Sequence, residues 1–398
     1  MDWKLSNFDL FSLNMTIKDA WIYDTAPEVE KMQKALEQLG AIYPHLSGRY
    51  NEQRKSVVFT QPAPNQLKLI TADLSSHTID ELINHPGLVW SLVKPYDIKG
   101  FKKGKVAPFS ATLAKLKEGA ILYVQCAHAT MDGHSFMTLM QQWASLYQGM
   151  EVSPMTVNQE LLPNPQSITK DATLQRVQQL GWVKMGGRQL FKMLFNLRRN
   201  NKIKQTHIIE VPIDEIGRIK EESQAGTNAV LSALAMKHLA AHLPNTKQMK
   251  MIMVTDLRNR IDGVDDSFFG NFSQALPLGT NFDAKLDTAK LAAAIESQVQ
   301  ATLDSHALAE QLQLSISAGH YSLPYFFFDP SDMNCSKPGT IYINNQLRMM
   351  ACLLDWGHGL PRYAFPNDLV DMVKFWQPVA EGPVQIIYGG LAAKIMSK

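Results

Sequence analysis

The residues of this chain best suited to chemistry are His128, Asp132 and Gly133, which stand in the sequence His-Ala-Thr-Met-Asp-Gly. A histidine that is partly shielded from water favours its neutral form, and a neutral imidazole accepts a proton near neutral pH. Asp132 and Gly133 suit a tight turn, where a short acidic side chain and a residue tolerant of positive φ are expected. The stretch therefore predicts a general-base site, but a lone histidine before an Asp-Gly turn is also typical of a structural role.

A strand is predicted before this motif and a helix after it. Residues before the motif alternate, so that His128 shares one face of a strand with the apolar Leu122, Val124 and Cys126. After the motif, apolar residues recur at helical spacing and predict one buried face, formed by Phe136, Leu139, Met140, Trp143, Leu146 and Tyr147. His128 is thereby expected at the end of a strand, directly before a turn into a helix.

The same periodicities predict elements elsewhere in the chain. In the first half they predict a helix over about 28–40, strands over 57–60, 67–72 and 107–116, and a hairpin turn at 118–119. In the second half they predict strands over 208–211, 249–254, 340–343, 348–353 and 384–388, and a helix over 229–243. A proline-containing loop over 153–166 would leave the first half.

Composition excludes several classes of protein. The 398 residues carry a formal net charge of only +2, which gives no global attraction for nucleic acid. Cys126, Cys335 and Cys352 have no paired spacing, which argues against a disulfide framework and a zinc site and fits a reducing setting. The first residues lack the pattern of a signal sequence, and no apolar run approaches the roughly 18 residues of a membrane span. We therefore expect a cytoplasmic protein with no bound metal and no transmembrane segment.

Five short motifs follow one another from residue 5 to about residue 361. They are LSNFDL (5–10), YPHLSGRY (43–50), HATMDG (128–133), DLRNR with FGN (256–260 and 269–271), and DWGHGLP (355–361). In type and order these motifs resemble those of the BAHD family of acyl-CoA-dependent acyltransferases, within the wider chloramphenicol acetyltransferase and condensation-domain superfamily. The last motif departs from the family pattern at Trp356, where Phe is usual, and at His358, where Trp is usual.

The resemblance implies an α/β fold of two similar domains, each a mixed β-sheet with flanking helices, as in chloramphenicol acetyltransferase. The active site is then expected at the domain interface, since clefts between domains are common ligand sites. On this basis an N-terminal domain over 1–165 carries HATMDG, a basic connector or crossover spans 166–205, and a C-terminal domain over 206–398 carries DLRNR, FGN and DWGHG.

The resemblance also implies roles for individual residues. His128 is expected to be the general base. Asp132 is expected to be a buried carboxylate held by an arginine, with Arg258 the first choice and Arg260 the second, because an unpaired buried charge is costly. Further residues are expected to support the active site, namely Gly133, Asp355, Gly357 and Gly359.

Two polar residues, Asn345 and Gln346, are expected to contact substrate. The sequence Asn344-Asn345-Gln346 stands where the family often has a small polar pair followed by tryptophan. Gln346 takes the place of that tryptophan, so the acyl or acceptor pocket is expected to differ in shape from that of other members.

A basic segment joins the two halves. No Asp or Glu occurs from 172 to 209, and 188–200 has the pattern of a cationic amphipathic helix. Three interpretations stay open: a solvated connector, a patch for the phosphates of coenzyme A or for an acidic carrier protein, and a weak contact with a membrane surface. The candidate phosphate-binding residues are Arg198, Arg199, Lys202 and Lys204.

The resemblance implies transfer of an acyl group from acyl-coenzyme A, a co-substrate rather than a bound cofactor, to a hydroxyl or amine of a small-molecule acceptor. His128 would take the acceptor proton, and no covalent acyl-enzyme is required. Two alternatives stay open: a condensation-type enzyme that uses a carrier-bound thioester, and a non-catalytic relative that binds a ligand in the same cleft. Ala127 stands where condensation domains usually have a second histidine, which favours coenzyme A. We expect a monomer.

Overall fold

Two mixed β-sheets, one in each half of the chain, position the residues considered above. The computed structural model describes residues 1–397 except for 7–8, 11, 60–66, 158–165, 188–190, 192–194, 196–204, 244–245, 247, 261–262, 280, 327–338 and 367–371, and it leaves out the side chains of 305–307. Both sheets carry flanking helices, so the predicted α/β fold class is confirmed.

The elements of the described residues are as follows. The strands are β1 Asp2–Lys4, β2 Thr16–Tyr23, β3 Arg49–Asn51, β4 Ser56–Val58, β5 Leu69–Leu74, β6 Phe109–Leu116, β7 Ala120–Ala127, β8 Val183–Lys184, β9 Thr206–Val211, β10 Gln248–Asp256, β11 Ser273–Pro277, β12 Phe282–Asp283, β13 Tyr325–Phe326, β14 Thr340–Asn345, β15 Tyr363–Phe365, β16 Val373–Trp376 and β17 Val384–Gly389. The helices are α1 Val29–Ile42, α2 Ile79–Asn84, α3 Pro86–Val89, α4 Ile98–Lys102, α5 Gly133–Tyr147, α6 Lys170–Gln179, α7 Ile213–Ser223, α8 Thr227–Ala241, α9 Thr288–Thr302, α10 Ser305–His320 and α11 Gly390–Met396.

The first sheet has the strand order β15-β2-β7-β6-β5 and is antiparallel except between β5 and β6. The central strand β7 is buried on both faces. Leu122 and Val124 pack in the core that α1 and α5 complete, whereas Ile121 and Tyr123 face the smaller core beside α2 and α3. The alternation predicted from the sequence therefore separates two cores, and it directs the end of β7 towards α5.

The second sheet has the order β11-β10-β14-β16-β17-β9, and the short β12 also pairs with β10. Strands β10, β14 and β16 are parallel to one another, so their carboxyl ends meet at one edge. Helices α7, α8, α9 and α11 contribute to the apolar core on this sheet. Among the described helices, none has both the length and the apolar character needed to cross a membrane.

One predicted strand is wrong. Residues 348–353 form two short 3₁₀ helices, Leu347–Met349 and Ala351–Leu353. Between them Met350 adopts the left-handed region, with φ of 48°, which no strand accommodates. Leu353 is 45% exposed, so the apolar side chains here do not share one buried face.

The segment after these turns packs on the first half of the chain. Tyr23 donates a hydrogen bond to the carbonyl of Leu354 (2.9 Å) and accepts one from the indole Nε1 of Trp356 (3.0 Å). Strand β15 then pairs with β2 as an edge strand of the first sheet. The domain limits at 165 and 205 stay a prediction, but this part of the predicted C-terminal domain completes the first core.

Replacing Trp356 is expected to weaken this junction. Trp356→Phe removes the hydrogen bond to Tyr23 and leaves a gap against Trp143, whose ring centroid lies 5.0 Å away. The free energy of unfolding should fall by about 1–3 kcal/mol. Urea denaturation measures it, with Trp90→Phe, at a half-buried indole, as the matched control. An equal loss in both variants would contradict the role given to this contact.

Candidate active site

The end of β7 places His128 at the boundary between the two halves. His128 begins a 3₁₀ turn, and its backbone N–H donates to the carbonyl of Met15 (3.0 Å). Thr130 closes the turn by donating its hydroxyl to the carbonyl of Ala127 (2.8 Å). Asp132 then caps α5, because its carboxylate accepts from the backbone N–H of Ser135 (3.0 Å). The turn is thereby fixed on both sides of His128.

A single asparagine from the second half of the chain orients the imidazole of His128. The Nδ2 of Asn271 donates to the carbonyl of His128 (2.7 Å) and to Oδ1 of Asp9 (2.9 Å). Those two oxygens fix which end of the amide is the donor, so Oδ1 of Asn271 faces Nδ1 of His128 at 3.0 Å as an acceptor. Nδ1 therefore carries the proton of the neutral ring, and Nε2 keeps its lone pair.

The carboxylate of Asp9 completes this network from the first motif of the chain. It is buried, and its Oδ2 accepts from the backbone N–H of Ser6 (2.7 Å). Burial raises the pKa of Asp9 to about 6, although the hydrogen bonds from Asn271 and Ser6 favour the ionised form. Sequence reasoning did not assign roles to Asp9 or Asn271. The LSNFDL and FGN motifs were the signal that could have identified them.

Asp132 and Arg258 form a buried ion pair that joins the two halves. Nη1 and Nη2 of Arg258 lie 2.8 and 3.2 Å from the two carboxylate oxygens, and both side chains are almost fully excluded from water. Burial alone would raise the pKa of Asp132, but Arg258 and the N–H groups of Ser135 and Phe272 lower it. The partners of the carboxylate are Arg258, Ser135, Phe272 and Ser273, so it joins the turn to the second half of the chain.

The guanidinium of Arg258 has further partners in both halves of the chain, and it also pairs with the partly exposed carboxylate of Asp256 (2.9 Å). It donates to the carbonyls of Phe268 (3.0 Å) and Gly270 (3.0 Å) and to the hydroxyl of Ser135 (2.9 Å). Arg260, the second choice from the sequence, does not reach Asp132 and donates instead to the carbonyl of Asp256 (3.2 Å). Arg258 thus brings residues 268–270 against the start of α5.

Gly133 does not have the positive φ that the sequence led us to expect. It is the first residue of α5 and is not among the residues with positive φ. A Cβ at this position would meet Cε of Met349, the far end of a flexible side chain that can move aside. The backbone at this position therefore does not require glycine.

The DWGHG motif forms a tight loop on the first half of the chain. Oδ1 of Asp355 accepts from the backbone N–H groups of Gly357 (2.7 Å) and Gly359 (3.0 Å), and both glycines have positive φ. His358 contacts the hydroxyl of Tyr147 (3.0 Å) through Nε2. None of these contacts involves His128.

The two candidate substrate residues lie at the carboxyl end of β14, beside the carboxyl end of β10. Asn345 donates to Oδ1 of Asn228 (3.1 Å) and accepts from the N–H of Leu347 (3.0 Å). The Oε1 atom of Gln346 is buried, and no group of the described chain bonds it. The four basic candidates, Arg198, Arg199, Lys202 and Lys204, lie outside the described residues.

No group of His, Cys, Asp and Glu side chains among the described residues is arranged to hold a metal ion. Cys126 and Cys352 are free thiols, and Cys335 lies outside the described residues. Burial raises the pKa of the Cys352 thiol, which keeps it protonated and unreactive. Of the described side chains at this site, the His128 imidazole is therefore the one best suited to acid–base chemistry.

Solved structures of other proteins share this fold. F. sporotrichioides TRI101 complexed with coenzyme A and T-2 superposes with a TM-score of 0.74 at 15% identity, over 99% of this chain and 96% of that chain. F. graminearum TRI101 complexed with coenzyme A and deoxynivalenol gives 0.76 at 12% identity, over 99% and 96%. The first condensation domain of the CDA synthetase gives 0.59 at 14% identity, over 100% and 97%.

The family follows from the sequence match. Residues 1–367 match the family model described as Transferase family, whereas no curated protein sequence matches. The chain therefore belongs to the Transferase family, the BAHD acyltransferases, and the resemblance of its motifs is confirmed.

Removing one member of the buried ion pair is expected to destabilise the protein strongly. Asp132→Ala removes the buried carboxylate and leaves Arg258 only its ion pair with the partly exposed Asp256 (2.9 Å). The loss of one partner of a buried pair costs about 3–5 kcal/mol. Arg258→Ala should have a similar effect, and the double variant should lose less than the sum. Urea denaturation of the four proteins measures this, and strictly additive losses would count against the pair.

The same pair predicts how stability depends on pH. Because the pKa of Asp132 is lowered on folding, its contribution is complete above the unfolded value of about 3.9 and is lost as pH falls through the folded value. The pKa of Asp9 is raised on folding, so protonation of Asp9 in acid stabilises the folded state. This contribution is present in every variant and cancels in the comparison. The wild type should have a higher free energy of unfolding than the double variant, and we expect this difference to become smaller in acid. Urea denaturation at a series of pH values measures it. A gap that does not change below about pH 4 would show that the carboxylate is not ionised on folding.

Proposed function

We propose that this protein transfers an acyl group from acyl-coenzyme A to a hydroxyl or amine of a small-molecule acceptor, with His128 as the general base. The observation that carries the proposal is the contact between Asn271 and Nδ1 of His128, which leaves Nε2 as a proton acceptor. Family membership and the fold shared with coenzyme A-bound TRI101 support the same donor. A cytoplasmic location and a monomeric state remain predictions from the sequence.

The proposed reaction needs no covalent enzyme intermediate. Nε2 of His128 accepts the acceptor proton while the acceptor oxygen or nitrogen attacks the thioester carbonyl carbon. The carbon–sulfur bond then breaks, the carbonyl re-forms, and the leaving thiolate takes the proton from Nε2. The products are the acylated acceptor and free coenzyme A, and His128 returns to its neutral state.

The other residues of the site act by holding His128 in this state. Oδ1 of Asn271 accepts a hydrogen bond from Nδ1–H of His128, which keeps Nε2 unprotonated and fixes the plane of the ring. Asp132 and Arg258 hold the turn and the segment that carries Asn271, and they take no part in proton transfer. This division separates residues that affect the rate from residues that affect stability.

A condensation-type reaction on a carrier-bound thioester is the second candidate. The likeness to the condensation domain of the CDA synthetase favours it, at a lower TM-score than TRI101. Ala127 in place of a second histidine argues for free coenzyme A. TRI101 is complexed with T-2 or deoxynivalenol in the similar structures, which supports a small-molecule acceptor here.

Release of free thiol tests the proposal. Purified protein is incubated with a panel of acyl-coenzyme A donors and mixed acceptors, coenzyme A is measured with a thiol reagent, and acylated products are identified by mass. Turnover is expected with at least one donor. Thiol release from a loaded carrier protein alone would favour the condensation reaction, and the absence of any turnover would favour a binding protein.

Replacing the base is expected to affect the rate and leave stability nearly unchanged. His128→Ala should lower kcat by about 10²–10⁴-fold, the usual contribution of general-base catalysis. His358→Ala is the matched control, because that exposed histidine contacts Tyr147 and not His128. Thiol release at saturating substrate measures both variants. Near-normal turnover by His128→Ala would refute the assignment.

Removing the amide partner should have a smaller effect of the same kind. Asn271→Ala frees the ring to rotate and to exchange its proton between the two nitrogens, so kcat should fall by less than the roughly 10²–10⁴-fold that the base contributes. The KM of the donor should change little, because the amide contacts the base. Steady-state kinetics measure both, and an unchanged kcat would show that ring orientation does not depend on Asn271.

A further inference from the structure

The carboxylate of Asp9 is buried one side chain away from the proposed base. It belongs to the first motif of the chain and is only 2% exposed. One of its oxygens accepts a hydrogen bond from Nδ2 of Asn271 (2.9 Å), and the other accepts from the backbone N–H of Ser6 (2.7 Å). A buried charge acts on its neighbours more strongly than a charge in water, because its surroundings screen it less.

Two hydrogen bonds in series join this carboxylate to the imidazole of His128. Nδ2 of Asn271 donates to Asp9, and Oδ1 of the same amide faces Nδ1 of His128 at 3.0 Å as the acceptor. Hydrogen bonds in a chain polarise one another, so a negative charge on Asp9 makes the amide oxygen a stronger acceptor. We refer to Asp9, Asn271 and His128 together as the amide-bridged triad.

Asp132, the carboxylate of the HATMDG motif, is poorly suited to support a charge on His128. Its two oxygens lie 2.8 and 3.2 Å from the guanidinium of Arg258, which balances its charge. General-base catalysis turns the imidazole into a positive imidazolium, and a negative charge nearby favours that form. Of these two carboxylates, Asp9 is the one that hydrogen bonds join to the ring.

We propose that ionised Asp9 is a positioning residue that strengthens His128 as a base by stabilising its imidazolium form through the amide of Asn271, an inference that rests on the function proposed above. No proton moves along the bridge, because the Nδ1 proton stays on the ring and Nε2 takes the acceptor proton. Two charges about 7 Å apart, the reach of two hydrogen bonds and one amide, change a proton affinity about 10–50-fold at an effective dielectric constant of about 20. Since the charge on the ring is only partly developed in the transition state, Asp9 should raise kcat by about 3–10-fold.

Ionisation of Asp9 gives this role a signature in the dependence of the rate on pH. Burial raises the pKa of Asp9 to about 6, while the hydrogen bonds from Asn271 and Ser6 oppose the rise. Asp9 is therefore ionised well above pH 6 and neutral well below it. The advantage of wild type over a neutral side chain at this position should be present at high pH and lost in acid.

The ratio of kcat in wild type to kcat in Asp9→Asn tests the proposal in the full-length protein. Asparagine keeps the shape of the side chain and removes its charge, so the ratio should be about 3–10 at pH 8 and fall to about 1 at pH 5, with the KM of the donor unchanged. Asp287→Asn is the matched control, since that carboxylate caps α9 through the N–H of Ala289 (2.9 Å), and its ratio should stay near 1 at every pH. A ratio for Asp9→Asn that does not depend on pH would overturn the proposal.

A double variant tests whether the effect passes through the amide. Added to Asn271→Ala, the change Asp9→Asn should lower kcat at pH 8 by less than about 2-fold, because the bridge is already broken. An undiminished loss in that background would overturn the route through Asn271. Should Asp9→Asn fail to fold, the ratio of wild type to Asn271→Ala carries the test, and it should fall by about 3–10-fold between pH 8 and pH 5. A constant ratio would again overturn the proposal.

A measurement without substrate separates this proposal from the proposed function. The imidazole of His128 is followed by NMR in protein labelled with ¹⁵N at histidine, and its signals are identified by their loss in His128→Gln. The midpoint of its titration should lie about one pH unit lower in Asp9→Asn than in wild type. A lower midpoint supports the amide-bridged triad even if no acyl transfer is observed. Equal midpoints refute it even if acyl transfer is observed.

Discussion

The pair of Asp132 and Arg258 is the constraint on which the site depends, because it removes one charge of each sign from water at the junction of two sheets. Such a pair specifies geometry, since each charge is tolerated only where its partner meets it. Four consecutive residues, 270–273, contact the motif of the first half through a backbone carbonyl, a side-chain amide, a backbone N–H and a hydroxyl. Together with the ion pair, these hydrogen bonds hold the start of β11 against the start of α5.

The orientation of the His128 ring follows from that geometry. The segment held by Arg258 contains Asn271, whose amide determines which imidazole nitrogen carries the proton. Asp9 in turn fixes the amide from a third part of the chain. The imidazole of His128 therefore takes its orientation from segments that lie far apart in sequence.

Local pattern was sufficient to predict the strand and helix on either side of His128, since alternation and helical spacing act over a few residues. Family resemblance named Arg258 as the partner of Asp132, and the two side chains meet. The role of Asn271 could not be predicted, because it depends on which atoms face its amide in three dimensions. The turns around Met350 were missed because an apolar run does not reveal a left-handed residue.

The packing of Trp356 against Tyr23 also bears on how the chain acquires its structure during synthesis. These two side chains are separated by 333 positions, and strand β15 adds its edge to the first sheet only after nearly all of the polypeptide has been made. The amino-terminal half leaving the ribosome therefore exposes part of its core until the carboxyl-terminal segment arrives. Contacts between such distant positions slow folding and prolong the time in which chaperones can act. A truncated product that stops before this tryptophan would lack the piece that closes its own first core.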